Sequence, residues 1–260
     1  MVVLITGASS GIGEANAKKF IQEGHKVYGI AYGDYELEGL NYYNADIRDH
    51  KRIDEIVDEI YEKEGRIDIL LNSAGMGISG AVEDTTVENA ELMFDINFFG
   101  TFNITKKVIP YMRENNYGRI ANISSVAGVL PIAFQTFYSA NKAAISLYTE
   151  GLNIELKPFN IKVINFMPGD ISTSFTDNRK KNKSDSKVYG ERIDRSVEMM
   201  ERDERNGMSV EYVSKVMYKN IIKKRPPLRK VVGVKYKFFV FLARFLPIKF
   251  INYVMGKMYG

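Results

Sequence analysis

Thr6-Gly7-Ala8-Ser9-Ser10-Gly11-Ile12-Gly13 follows directly on the apolar run Val2–Thr6. This order predicts a strand, a glycine-rich turn and then a helix that ends near Glu23-Gly24. Such a turn lets the backbone approach a pyrophosphate, whose charge then meets free N–H groups and the positive end of the helix dipole. The spacing favours a nucleotide site, although glycine turns also serve as tight connections.

Further apolar runs predict strands, with helical patterns between them. They are Val27–Ala31, Tyr42–Ala45, Ile67–Asn72, Arg119–Ile123 and Lys162–Phe166. Short apolar strands separated by amphipathic helices indicate βαβ units. We therefore predict an α/β fold, a Rossmann-type doubly wound parallel sheet of about seven strands with helices on both faces. No linker or repeat interrupts the pattern, so residues 1–260 are predicted to form a single catalytic domain with a C-terminal helical extension.

The composition restricts the chemistry that this chain can perform. Its 260 residues include no Cys and only two His, His25 and His50. A disulfide framework and an iron–sulfur cluster are excluded, and we predict no metal site. Neither histidine has a positioned Ser or Asp partner, so both are expected at the surface and a hydrolase triad is not supported. Any redox chemistry must come from a bound cofactor.

The net charge of +4 hides an asymmetry along the chain. Residues 1–211 carry a net charge of −8, whereas the part after Glu211 has 12 basic residues and no acidic one. No signal peptide follows Met1, and no uncharged apolar run reaches the roughly 18 residues of a transmembrane helix. We expect a cytoplasmic protein with a small-molecule substrate and no nucleic-acid partner.

Two segments differ from the rest of the chain. The stretch from Thr173 to Gly207 is crowded with charge and is expected to be a surface insertion that acts as a substrate lid. Residues 234–260 form an apolar, basic extension, the tail, whose apolar side chains recur at helical spacing before Pro247. They are Phe238, Phe241, Leu242, Phe245 and Leu246. The tail either closes the substrate pocket or a subunit contact, or it lies on an anionic membrane.

The spacing Gly-x-x-x-Gly-x-Gly resembles that of the short-chain dehydrogenase/reductase family. Six further motifs in family order extend the resemblance along almost the whole chain. They are Asp46-Ile47, Asn72-Ser73-Ala74-Gly75, Asn97, Ser125, Tyr138-Ser139-Ala140-Asn141-Lys142 and Pro168-Gly169-Asp170-Ile171-Ser172-Thr173. The C-terminal part more loosely resembles hydroxysteroid and lipid-carbonyl members.

The resemblance implies an NAD(P) cofactor and assigns residues to it, with Asp46-Ile47 at the adenine ring and the Pro168 motif beside the nicotinamide. The cofactor-binding residues are expected to be Gly7, Ser9, Ser10, Gly11, Ile12, Gly13, Tyr32, Asp46, Ile47, Asn72, Ala74, Gly75, Tyr138, Lys142, Pro168, Gly169, Ile171 and Thr173. Asp46 could also serve as a helix N-cap.

Four residues are expected to carry the catalysis: Asn97, Ser125, Tyr138 and Lys142. Tyr138 and Lys142 are four apart in a predicted helix, Phe137 to Leu156, so both project from one face. Lowering a phenol pKa of about 10 by roughly three units requires about 4 kcal/mol, which Lys142 and a nicotinamide cation would supply.

In reduction Tyr138 is expected to protonate the carbonyl oxygen that Ser125 holds, while Lys142 also grips the nicotinamide ribose. The family resemblance implies that Asn97 positions a water that links Lys142 to solvent.

The cofactor preference depends on the end of the second predicted strand. NAD-preferring members usually carry an acidic residue there, which repels a 2′-phosphate. Here Ala31 occupies that position and Tyr32 follows. The Arg that often binds the phosphate is also missing, Ser10 replaces a second basic position, and Asp34 could act as a late acidic substitute. We expect NAD(P), leaning to NADP.

The predicted activity is the interconversion of a ketone and a secondary alcohol on an apolar substrate such as a sterol, bile acid or fatty-acyl derivative. A 3-oxoacyl thioester reductase is the first alternative. A sugar-nucleotide epimerase usually has a different glycine spacing, and a silent dinucleotide-sensing protein would not need all four catalytic residues. The resemblance also suggests homodimers or homotetramers that associate through the long helices.

Overall fold

The structure is a computed structural model that describes residues 1–182 and 187–260. Its main sheet contains seven parallel strands in the order β3-β2-β1-β4-β6-β7-β9. These strands are β1 (Val2–Thr6), β2 (Lys26–Ala31), β3 (Leu40–Asn44), β4 (Ile69–Asn72), β6 (Gly118–Ile123), β7 (Ile161–Pro168) and β9 (Arg229–Val232). Two short strands, β5 (Ile78–Ser79) and β8 (Lys180–Lys181), pair separately. The predicted doubly wound parallel sheet is confirmed.

Helices cover both faces of this sheet. The helices are α1 (Gly11–Gln22), α2 (His50–Glu64), α3 (Val87–Phe94), α4 (Gly100–Glu114), α5 (Thr136–Leu156), α6 (Arg192–Arg205), α7 (Val210–Ile221), α8 (Val234–Leu242) and α9 (Ile248–Tyr259). Apolar residues of α1 and α7 form one core with the sheet, and those of α2, α4 and α5 form the other. The strands are therefore buried on both faces, as their continuous apolar runs require.

The seventh strand, β9, was not among the predicted runs. It has four residues, begins with Arg229 and Lys230, and pairs with β7 at the edge of the sheet. Arg229 forms an ion pair with Glu150 of α5. A strand this short and basic lacks the apolar signal that identified the others, and it becomes recognisable only through its pairing.

The helix α2 shows how local sequence sets an element and its ends. Its buried residues recur at helical spacing and are Ile53, Ile56, Val57 and Ile60. The Asp49 side chain accepts a hydrogen bond from the Arg52 N–H at 3.0 Å and caps the helix. The helix ends at Gly65, where φ is +68°. Asp46 is therefore not the N-cap of this helix, and that expectation is wrong.

The two histidines have different environments. His50 is exposed at the start of α2, as expected. His25 is partly buried beside the rings of Phe20 and Tyr218, and its Nε2 lies 3.3 Å from the Tyr218 hydroxyl. Burial lowers the pKa of His25. His25 is therefore partly buried rather than a plain surface residue, and its ring partner is a tyrosine, not the Ser or Asp of a hydrolase triad.

A row of buried polar residues crosses the sheet near its carboxyl edge. Thr6, Asn72, Asn122 and Asn165 are direct neighbours on β1, β4, β6 and β7. The Asn72 amide donates to Asn122 Oδ1 at 2.8 Å, and Thr6 Oγ1 accepts from the N–H groups of Ser73 and Ala74 at 3.1 Å. These bonds fix the loops that leave the strands, and those loops form the site.

The tail folds as α8 and α9 and has two different faces. Tyr236, Val240 and Ile251 are buried against the body of the protein. The opposite face exposes large apolar side chains, which are Val234, Phe238, Phe239, Phe241, Phe245, Ile248, Phe250, Tyr253, Val254 and Met258. Across residues 1–182 and 187–260, no helix has the length and apolar character needed to cross a membrane.

Candidate active site

The turn after β1 forms a cradle that only glycine fits. Gly7 and Gly11 have φ of +66° and +52°, a backbone conformation that glycine adopts without strain. A Cβ on Gly7 would lie 2.8 Å from the Ala74 backbone, and one on Gly13 would lie 2.0 Å from the Gly7 carbonyl oxygen. The N-cap Ser10 makes no side-chain cap bond to α1. No cap side chain engages the amides at this helix start, and the glycines leave the turn free of side chains at three positions. This arrangement fits a dinucleotide pyrophosphate.

A cavity of about 230 Å³ opens at the carboxyl edge of the sheet. It brings together most of the predicted site residues from five parts of the chain. Those that line it are Gly7, Ser10, Gly11, Ile12, Ala74, Gly75, Ser125, Tyr138, Lys142, Pro168, Gly169, Ile171 and Thr173. Parallel strands carry their carboxyl ends to one edge, which explains why distant motifs converge.

Other predicted residues do not line this cavity: Ser9, Gly13, Tyr32, Asp46, Ile47, Asn72 and Asn97. Asn72 is buried, and its amide donates to Thr105 as well as to Asn122. Ile47 is buried against the position of Gly100. Gly13 supports the turn by close packing. These residues therefore lie behind the residues that line the cavity, or along the carboxyl edge of the sheet.

The sheet edge near β2 carries the charged side chains of Asp46 and Arg48. Tyr32 is largely exposed just after Ala31. Asp46 accepts two hydrogen bonds from Arg48 Nε at 3.0 Å and forms an ion pair with its guanidinium. The hydrogen bond from Arg48 lowers the pKa of Asp46. The nearby Tyr32 and Asp95 contribute to the raised pKa of Arg48, whose first cause is the bond to Asp46. The Arg48 guanidinium therefore lies beside Asp46, whose carboxylate balances its charge.

Tyr138 and Lys142 lie one turn apart on α5, as predicted. The Lys142 Nζ lies 5.6 Å from the centroid of the Tyr138 ring and donates to the Ile123 carbonyl at 3.0 Å. The Ser124 hydroxyl donates to the Lys142 carbonyl at 2.6 Å, which ties β6 to α5. Ser125 is the N-cap of the short turn Val126–Gly128 and accepts from the Ala127 N–H at 3.1 Å. Strand and helix thus hold the three side chains around one corner of the cavity.

The pKa of Tyr138 moves in the direction opposite to that expected. The pKa is raised to about 12, mainly by burial and also by the charge of Glu204, while Arg179 and the Ser125 hydrogen bond lower it. Burial lowers the pKa of Lys142 to about 8. The phenol is therefore neutral at neutral pH, the state that a proton donor requires.

Asn97 is buried in a π-helical stretch, Asp95–Phe99, between α3 and α4. Its Nδ2 donates to the Met76 carbonyl at 2.9 Å and to Asn141 Oδ1 at 3.1 Å. Its Oδ1 accepts from the Met76 N–H at 2.8 Å. The amide therefore fixes the loop after β4 against the helix that carries Tyr138, and the predicted water relay remains a prediction.

The charged stretch from Thr173 to Gly207 is not simply a surface insertion. Thr176 and Arg179 are buried, and Glu204 lines the cavity, so the surface prediction is wrong for these residues. The Phe175 ring lies 5.9 Å from that of Tyr138 between centroids. Residues 183–186 of the predicted lid lie outside the described residues.

Sequence reasoning missed several cavity residues. Asp170 stood within the quoted Pro168 motif but received no role, although it lines the cavity and its carboxylate accepts from the Tyr236 hydroxyl. Phe175 and Glu204 stood in a segment whose charge predicted solvent exposure. Only the adjacency of Asp170 to the motif was a signal that could have identified any of them.

Comparison with known proteins agrees with this architecture. The family model described as short chain dehydrogenase matches residues 1–184. A 3-ketodihydrosphingosine reductase of Bacteroides thetaiotaomicron is 40% identical over 235 residues, which cover 89% of this chain and 87% of the relative. The 3-oxoacyl-(acyl-carrier-protein) reductase FabG of Thermotoga maritima is 37% identical over 68% of this chain and 76% of its own.

A solved structure, the closed form of serine dehydrogenase complexed with NADP+, superimposes with a TM-score of 0.75 at 28% identity. The superposition covers 89% of this chain and 94% of that one. These similarities, together with the cradle and the cavity, establish an NAD(P)-dependent oxidoreductase.

The cradle generates a prediction about cofactor affinity. Gly13→Ala places a methyl group against the Gly7 carbonyl, so the turn must shift and dinucleotide affinity should fall by about tenfold or more. Fluorescence titration with NADPH measures the effect. Gly151→Ala, at a helical position with open space around it, is the matched control and should bind normally. Equal affinity in both variants would contradict the cradle.

Proposed function

The chain belongs to the short-chain dehydrogenase/reductase family, and from this premise we propose that it reduces the ketone of a long-chain amino ketone with NADPH. The observation that carries the proposal is the cavity in which Tyr138 and Ser125 meet apolar walls that include Met76, Ile132 and Phe175. When the carbonyl oxygen of a substrate lies at the hydroxyls of Tyr138 and Ser125, the rest of the substrate lies along those apolar walls.

The choice of substrate class follows from the relatives. The 40% identical relative is named for 3-ketodihydrosphingosine, a long-chain ketone with an amino group on the adjacent carbon. Serine, the substrate named for the superimposed structure, also carries its amino group next to the oxygen-bearing carbon. These names favour an amino ketone over the sterols and bile acids that the tail suggested. A 3-oxoacyl thioester remains the second candidate, because the FabG relative is named for it.

Each residue of the corner has a distinct task in this proposal. The bound reduced nicotinamide supplies a hydride to the carbonyl carbon. Tyr138, held neutral by burial, donates its proton to the carbonyl oxygen, and Ser125 donates a hydrogen bond to that oxygen. Lys142 stabilises the phenolate that remains and binds the cofactor ribose. Asn97 is a positioning residue that holds the Met76 loop against α5.

NADPH is the proposed cofactor because no acid ends β2. Ala31 is the last residue of that strand, and Tyr42 donates a hydrogen bond to its carbonyl at 2.9 Å. A 2′-phosphate there meets no carboxylate from the strand end, and the guanidinium of Arg48 stands beside Tyr32. Asp34, the alternative acid, accepts from Asn44 at 3.2 Å.

The family generally forms oligomers, and the proposed contact runs along α4 and α5. Leu147 and Ile154 of α5 are about three-quarters exposed, and Phe102 of α4 is exposed as well. Aliphatic side chains at this exposure on a long helix indicate a surface that a second copy covers.

The outer face of the tail is proposed to lie on an anionic membrane, where long-chain substrates reside. Aromatic side chains cover that face, and its basic neighbours are exposed, which are Lys235, Lys237, Arg244, Lys249 and Lys257. Each basic residue near such a surface contributes about 1 kcal/mol. Tyr236 of the buried inner face packs directly on Gly169. In this proposal the inner face of the tail packs on the protein, and the outer face lies on the membrane.

The activity test measures nicotinamide absorbance with 3-ketodihydrosphingosine, a 3-oxoacyl thioester and a ketosteroid, each with NADPH and NADH. The amino ketone with NADPH should give the highest kcat/KM. Tyr138→Phe keeps the ring but removes the proton, so its kcat should fall by about 10²- to 10⁴-fold while NADPH binding persists. A faster thioester reaction would favour the second candidate, and normal turnover by Tyr138→Phe would remove that residue from its role.

The preference for NADPH over NADH can be tested by introducing a carboxylate at Ala31, the last residue of β2. Ala31→Asp should shift the ratio of NADPH to NADH efficiency toward NADH, because the new charge repels the 2′-phosphate and accepts from the 2′-hydroxyl. Asp34→Asn is the comparison variant and should leave the ratio unchanged. An unchanged ratio in Ala31→Asp, with a shift in Asp34→Asn, would assign the control to Asp34 instead.

Membrane binding is tested by sedimentation with phosphatidylglycerol-containing vesicles at low and high salt. The intact protein should sediment at low salt, and less at high salt because ions screen the attraction. Phe238→Ser with Phe241→Ser should reduce binding without exposing the buried face. Val82→Ser with Val87→Ser, at exposed sites elsewhere, should not. No sedimentation of intact protein at low salt would retire the membrane proposal.

The subunit contact predicts the effect of charge on α5. Leu147→Glu with Ile154→Glu should dissociate the oligomer, because two carboxylates would be buried without partners. Light scattering after gel filtration measures the mass. Val82→Glu provides the control at an exposed site on another element. An unchanged mass in the α5 variant would place the contact elsewhere.

A further inference from the structure

Two carboxylates face the same cavity as Tyr138. Asp170 follows the end of β7 and Glu204 lies in the last turn of α6, and both line the cavity with Tyr138 and Ser125. Burial is the main cause of the raised pKa of Tyr138, and both carboxylates raise it further. The acids and the phenol therefore share one enclosed volume, where charges are screened less than in water.

Glu204 has its counter-charge inside the protein. Its carboxylate forms an ion pair with the buried guanidinium of Arg179, and its Oε2 accepts from the Thr176 hydroxyl at 2.7 Å. The Arg179 guanidinium carbon lies 5.8 Å from the centroid of the Phe175 ring. Glu204 is thus a neutralised part of the cavity wall.

Asp170 has weaker compensation. Its Oδ2 accepts from the neutral hydroxyl of Tyr236, and the Lys235 Nζ lies 3.8 Å away on a side chain that is 64% exposed. A solvated lysine at that distance contributes little. Burial raises the pKa of Asp170, although Tyr236 and Lys235 lower it. The carboxylate is therefore only partly stabilised by the protein.

Among the residues that the structure describes, two other charged groups near Asp170 are engaged elsewhere. Lys142 donates to the Ile123 carbonyl, on the side of the cavity where β6 ends. Asp203, a third carboxylate, accepts from the Tyr259 hydroxyl at 3.2 Å and raises the pKa of Asp170 further. Among the described residues, Lys235 is therefore the positive group that faces Asp170, and it lies 3.8 Å away on an exposed side chain.

From this arrangement we propose that Asp170 binds the ammonium group of the substrate, on the carbon next to the carbonyl that Tyr138 protonates. The inference rests on the proposed function and names the residue that selects amino ketones. An ammonium group supplies a closer positive partner than Lys235, through a charge-assisted hydrogen bond to a carboxylate whose side chain is 23% exposed. A neutral ketone or thioester gains no such bond, and this difference favours the amine. Asp170 sets specificity and takes no part in the chemical step.

The test uses three ketones of equal chain length: 3-ketodihydrosphingosine, its N-acetyl derivative, and the same hydroxy ketone without the amino group. Wild-type protein should prefer the amine over both neutral ketones by about tenfold or more in kcat/KM. Asp170→Asn keeps an acceptor for the Tyr236 hydroxyl but removes the charge. It should remove this preference through a higher KM for the amine, so that the three ketones approach equal kcat/KM.

Asp177→Asn is the matched control, because Asp177 pairs with Arg205 and does not line the cavity. Its preference for the amine should equal that of wild type. An independent readout is inhibition of the wild-type protein, in which a long-chain primary amine should inhibit more strongly than the alcohol of equal length. The inhibition comparison uses wild-type protein alone, so it tests the role of Asp170 even if Asp170→Asn does not fold.

The outcomes separate the two proposals. Equal efficiency of wild type on the amine and the neutral ketones overturns the role of Asp170, as does an equal loss on all three ketones in Asp170→Asn. Either result leaves ketone reduction intact. Failure of the wild-type protein to reduce any of the three ketones overturns the proposed function itself.

Discussion

The buried polar row across the sheet is the constraint on which the site depends. Thr6, Asn72, Asn122 and Asn165 stand side by side where four parallel strands end, in a region otherwise filled by apolar side chains. Asn72 donates to Asn122, which in turn donates to Thr149 of α5 at 3.0 Å, whereas the Asn165 side chain is buried without a hydrogen bond to any described residue. The bonded part of the row therefore ties the ends of β4 and β6 to the helix that carries Tyr138.

Burial sets the electrostatics of the site in opposite directions for its two central groups. It raises the pKa of Tyr138 to about 12 and lowers that of Lys142 to about 8, because a low-dielectric surrounding disfavours either charge. A neutral phenol holds the proton that a carbonyl oxygen must receive, and Lys142 in its protonated form can stabilise the phenolate that remains. The same burial leaves Asp170 in need of a positive partner. Burial thus acts on all three groups through the same physical cause.

The tail packs against residues that lie next to the cavity. Tyr236 touches the positions of Gly169 and Asp170, and Tyr259 donates to Asp203 at the other end of the tail. The side chains on the opposite face are aromatic and exposed. The tail thus has one face packed on residues next to the cavity and one apolar face that is exposed.

The sequence by itself determined the parts of the protein that short-range chemistry controls. The turn from Gly7 to Gly13, the apolar strands and the one-turn spacing of Tyr138 and Lys142 depend on backbone sterics and on helix geometry, so local residues suffice to predict them. Only the tertiary structure decided the strand β9, the direction of the Tyr138 pKa, the burial of Arg179 and the place of Asp170 beside Tyr236. Each of these depends on which distant groups exclude water from a residue, and desolvation is a property of the packed fold rather than of neighbouring positions in the chain.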